Sequence, residues 1–65
     1  MTQKQVYEAF KESFGESKYD YLKAIETNGK TTMRCYFVDF VDMLRANGDI
    51  TEKQAYRITA PKELY

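Results

Sequence analysis

Placed on a helix at about 100° per residue, Met33, Tyr36, Phe37, Phe40, Val41, Met43 and Leu44 fall within an arc of about 160°. Arg34, Asp39, Asp42 and Arg45 take the opposite side. Read as a strand, the same stretch aligns Met33, Cys35, Phe37, Asp39 and Val41, leaving an aspartate in the middle of the apolar face. The β-prone cluster Tyr36-Phe37-Val38 favours strand, yet only the helical period separates apolar from charged positions. The pattern therefore predicts a helix, capped by Thr31 or Thr32 and ended by Asn47-Gly48.

Three further helices follow from the same reading. Thr2 with Gln5 has capping-box spacing, in which the hydroxyl takes one backbone N–H and the amide oxygen another. Val6, Ala9, Phe10 and Phe14 then line one side, and Gly15 is a natural stop. Ser17 and Asp20 mark a second start, with Tyr21, Leu22, Ala24 and Ile25 on one face and Asn28-Gly29 as the end. Thr51 with Gln54 repeats the capping box, and Ile50 stands at the staple position against Ala55. That last helix reaches Thr59 or Ala60 at most, because Pro61 opposes continuation.

Four short amphipathic helices joined by tight turns predict an all-α, three- to four-helix mini-bundle. The third helix has the widest apolar arc and is expected at the centre. Val6, Phe10, Phe14, Leu22, Ile25, Ile50 and Ile58 are expected to close around it, and truncating Phe37 or Phe40 to alanine is expected to cost about 3–5 kcal/mol. The alternative is an α+β fold with a hairpin around Asn28-Gly29, since Asn-Gly between apolar runs is also a strong hairpin signal.

Composition narrows the chemistry. Sixty-five residues make one domain, residues 1–65, with a small core and a stability of a few kcal/mol. There is no histidine and Cys35 is the lone thiol, which excludes an intrachain disulfide and a thiolate–imidazole zinc site. Cys35 falls on the polar side of its helix, where it is read as a small filler. Six tyrosines and four phenylalanines supply the packing area instead. A single cysteine, no apolar leader after Met1 and no long apolar run predict a soluble protein of the cytoplasm.

Ten basic and ten acidic residues alternate along the chain, giving net charge zero and no strong field. Asp39 and Asp42 flank Arg45 on the solvated face, where paired carboxylates have nothing to separate their pKa values. Cys35 has no base beside it in sequence. No glycine-rich phosphate loop or calcium loop occurs, so neither an enzyme nor a cofactor is expected.

Two binding readings remain. The third and fourth helices, joined through "NGDI", have the order of a helix-turn-helix, with Lys53, Tyr56 and Arg57 on the last helix. Glu52 and the preceding carboxylates oppose phosphate attraction, which makes DNA the weaker choice. Apolar and aromatic residues outside the inward faces, notably Tyr19, Val38, Tyr56 and Tyr65, favour a protein partner or a second copy. The surface selected on this basis is Tyr19, Arg34, Val38, Lys53, Tyr56 and Arg57.

The segment "YFVDFVDMLRANGDITEKQAYRIT", with Pro61 just after, resembles the C-terminal half of short open reading frames in tailed-phage genomes. These share an aromatic-Val-Asp pair, a leucine, a glycine turn and Ile-Thr-x-Lys-Gln. The likeness covers residues 36 to 61. Many of those frames end in a tryptophan–Asn–Pro stretch, where Ile58-Thr59-Ala60 stand here. The resemblance implies a small protein made in the host cytoplasm during infection, acting by binding a host or phage protein. It carries no site residues.

Overall fold

The computed structural model describes Met1–Tyr65. It contains four α-helices, α1 (Gln3–Glu12), α2 (Lys18–Asn28), α3 (Lys30–Ala46) and α4 (Glu52–Arg57), then a closing 3₁₀ turn at Lys62–Leu64. No strand forms, so the hairpin alternative is discarded. Asn28 ends α2, and Gly29 alone separates it from α3, with its N–H donating to Ile25 O and its carbonyl accepting from Met33 N. At φ +84° it turns the chain between two helices. A β-branched or bulky residue would be strained there.

Both predicted capping boxes are present. Thr2 N donates to Gln5 Oε1 at 2.8 Å while Gln5 N donates to Thr2 Oγ1 at 3.2 Å. Thr51 and Gln54 repeat this at 3.0 and 3.1 Å. Ser17 and Asp20 form the third box, at the start of α2. Gly15 sits two residues beyond the C-cap Ser13, at φ +148°. A Cβ at this position would overlap the Asp20 carboxylate, so the glycine gives the α2 cap room to form.

The cap expected for α3 is different. Its N-cap is Gly29, which has no side chain to offer. Thr31 and Thr32 lie inside the first turn, and Thr31 Oγ1 accepts a hydrogen bond from Arg34 Nη2 at 3.2 Å. The turn after α2 is too short to leave a threonine outside the helix.

The core is built on α3, as its pattern required. Met33, Phe37, Val41 and Leu44 are buried, joined by Val6 and Phe10 of α1, Tyr21 of α2, Ile50 and Leu64. Phe10 is the aromatic hub: Phe37 and Phe14 meet it edge-on at 5.1 Å between centroids, Phe40 at 5.6 Å and Tyr21 at 6.1 Å. Edge-to-face pairs of this kind add about 0.5–1.5 kcal/mol beyond area burial.

Several inward assignments shift. Leu22 is exposed, because α2 packs through Tyr21 with Ala24 and Ile25, and Leu22 lies about 100° round from Tyr21. Tyr36 and Met43, at one edge of the α3 arc, are also exposed. Phe14, Phe40, Ile25 and Ile58 are half-buried around the core. The helix is central as expected, but α1, α2, α4 and the C-terminal turn leave that edge of its apolar arc in solvent.

The C-terminal segment closes the fold. Pro61 and Leu64 are buried, and Leu64 has no exposed surface. Tyr7 Oη donates to Thr59 O at 2.7 Å, and Tyr21 Oη donates to Glu63 Oε1 at 3.2 Å. Lys11 Nζ stands 3.5 Å from the same carboxylate oxygen. Burial raises the Tyr21 phenol well above the ordinary tyrosine value, and the facing Glu63 charge raises it further. Burial also pushes the Glu63 carboxyl up, but its own backbone N–H, Lys11 and the Tyr21 hydroxyl outweigh that and hold it below the usual value.

Candidate protein-binding groove

The turn Asn47–Thr51 brings α4 back beside α3, and a groove of about 680 Å³ opens between them. Phe37, Val41, Ala55, Ile58 and Ala60 form its apolar base. Cys35 and Val38 of α3 line it on one side, and Tyr56 and Tyr65 also border it. Arg34, Asp42 and Arg45 of α3 and Glu52 of α4 supply two positive and two negative charges. An apolar base with a few charges around it is the usual anatomy of a binding surface.

The spacing on α3 explains why this face exists. Arg34, Val38, Val41 and Arg45 recur at intervals of four, three and four, which sets a second stripe beside the buried one. Val41 is buried, whereas Val38 is 58% exposed with no neighbour to cover it. On α4 the capping box fixes the helix start, and Ala55 is partly buried against the core while Tyr56 is 83% exposed. Ile58, at the C-cap, has extended backbone and continues the apolar base beyond the helix.

Of the six residues selected from sequence, Arg34, Val38 and Tyr56 come together in this groove. Lys53 and Arg57 are exposed on α4 but do not line it. Tyr19, 82% exposed near the start of α2, stands apart from it as well. Arg34 also has a structural task that the helical wheel did not show. Its guanidinium donates to Leu64 O and to Thr31 Oγ1, and lies over the Tyr65 ring at 5.1 Å. Lys30 Nζ adds a 3.0 Å bond to Tyr65 O. The two cations hold the end of the chain against α3 and so set one end of the groove.

Cys35, Asp42, Arg45, Glu52 and Tyr65 line the groove without having been selected. The α3 stripe carried a signal for Arg45, but the position of α4 and of the tail is a tertiary outcome. Cys35 is exposed, as its place on the polar side of α3 allows, and borders the groove. Asp42 Oδ1 lies 3.8 Å from Arg45 Nη2, a loose i,i+3 pair in solvent that contributes under about 1 kcal/mol. A second depression, lined mainly by charged residues of α1, α2 and their connection, has only Tyr21 and Leu22 as apolar lining. No three acidic or cysteine side chains converge as a metal site would need. No helix is long and apolar enough to cross a membrane.

No protein-family model, curated protein or solved structure matches this chain.

Proposed function

We propose that this chain is a small, non-catalytic binding and regulatory protein of phage origin that works in the host cytoplasm by seating a protein on the α3–α4 groove. The observation that carries the reading is the groove itself: exposed Val38 and Tyr56 beside an apolar base, with arginines and carboxylates alongside. Tyrosine and arginine around a dry centre are the residue types that dominate interface energetics. The phage setting rests on the likeness of residues 36 to 61 alone. The partner is a host or phage protein, or a second copy.

DNA contact through α4 is the competing reading, and Lys53, Tyr56 and Arg57 are all exposed there. A six-residue helix with Glu52 in its first turn offers phosphate few cationic contacts, while tight binding at ordinary salt generally rests on six or more. Capture from bacterial lysate by the tagged chain, with and without nuclease, separates the two. A partner that survives nuclease and is lost with Val38→Glu supports the groove. Loss on nuclease treatment alone would transfer the function to DNA.

A further inference from the structure

We infer that the occupant of the groove is a second copy of this chain, docked with α3 antiparallel to its counterpart about a two-fold axis at Val38. This deepens the groove reading and rests on it.

The first support is charge complementarity. About an axis at Val38, position n of one helix faces position 76 − n of the other. Arg34 and Asp42 stand four residues to either side of Val38, so each Arg34 meets the Asp42 of the other copy, twice per dimer. Val38, exposed on α3, meets itself at the centre. A two-fold interface must be self-complementary in this way. Asp42 is exposed, and Arg34 keeps N–H donors beyond those that hold the tail while its guanidinium stays over the Tyr65 ring. Arg34 directs one Nη to Leu64 O and the other to Thr31, and a guanidinium has five N–H donors. Asp42 gives up only its loose, solvent-exposed contact with Arg45.

The second support is area. The chain exposes 4720 Å², against about 4,300 Å² for a compact monomer of its mass. Net charge zero removes the long-range repulsion that would keep two copies apart.

Sedimentation of the full chain from micromolar to millimolar concentration reads the proposal directly. The mass is expected to rise from the 7.7 kDa monomer towards twice that value. Val38→Glu, at an exposed position, is expected to stay monomeric with an unchanged circular dichroism spectrum. Asp42→Arg and Arg34→Asp are each expected to weaken self-association at least tenfold, and an equimolar mixture of the two to recover it, because opposite charges then face again.

Cys35 supplies a second readout through cross-linking. The two thiols lie six residues apart along the antiparallel pair, about 9 Å axially, with axes about 8–10 Å apart. Their α-carbons are then about 13 Å apart, beyond a disulfide but within reach of a short bifunctional maleimide. Covalent dimer from the wild type and none from Val38→Glu is the expected result. A wild type that remains monomeric at millimolar concentration, or a dimer indifferent to both Val38→Glu and Asp42→Arg, would overturn the proposal. If that monomer still captures a lysate protein in a Val38-dependent way, the groove reading stands and only the second copy falls.

Discussion

Truncation of Leu64 to alanine tests how the fold is closed. Leu64 has no exposed surface, although it lies one residue from the end of the chain described here, in a turn of only three residues. Burying a leucine is worth about 1.5–3 kcal/mol, and leucine-to-alanine changes in cores cost about 2–5 kcal/mol once the cavity is included. A domain of 65 residues has roughly 3–10 kcal/mol in all. The loss should not reach the top of that range. Without the leucine, Pro61–Tyr65 can lift away and regain about 1–2 kcal/mol of backbone entropy per residue, so the penalty is limited to the free energy of docking the tail. We expect a loss of about 2–3 kcal/mol in urea unfolding followed by far-UV circular dichroism. The Lys30, Arg34 and Tyr21 contacts to the tail should be lost together, seen as faster amide exchange at Leu64 and Tyr65. Tyr65→Ala, which removes an exposed ring stacked on Arg34, should cost under about 1 kcal/mol. If Leu64→Ala unfolds within about 0.5 kcal/mol of the parent, the tail is not part of the core.

Phe37 and Phe40 should separate in urea unfolding: Phe37→Ala is expected to cost about 3–5 kcal/mol and Phe40→Ala clearly less, because only Phe37 is fully buried. Equal losses would contradict the packing. Above about pH 10, where an unfolded tyrosine ionises, stability should decline because Tyr21 stays protonated in the fold, and Tyr21→Phe should remove that decline from a series of thermal melts. Glu63 has the opposite sign: its carboxyl is lowered, so its contribution is present above the ordinary glutamate value and disappears as pH falls through the lower folded value. Glu63→Gln should flatten that acid limb. Gly15→Ala should lower the melting temperature more than Gly48→Ala; both glycines have positive φ, but only at Gly15 would a methyl collide with a capping carboxylate.

The local levels of structure were legible because they are written in short spacings. Thr2-x-x-Gln5 and Thr51-x-x-Gln54 satisfy backbone groups three residues away, so sequence alone determines both caps. The period of Met33, Phe37, Val41 and Leu44 likewise determines that α3 is a helix with one dry side. What a helical wheel cannot supply is the width of the partner. The arc from Met43 to Val41 is apolar throughout, yet burial covers only part of it, and Tyr36 and Met43 stay wet. Leu64 had no period to reveal it, since a three-residue turn is too short to have one. Arg34 appeared as a surface cation because its partners are the carbonyl of Leu64 and the ring of Tyr65, some thirty residues away. The groove belongs to the same class: Val38 was visibly off the core face, but its meeting with Tyr56 depends on α4 folding back along α3. Sequence determined which elements form because hydrogen bonding within them is local. Tertiary structure decided which faces stay open, because burial depends on residues that are distant in the chain.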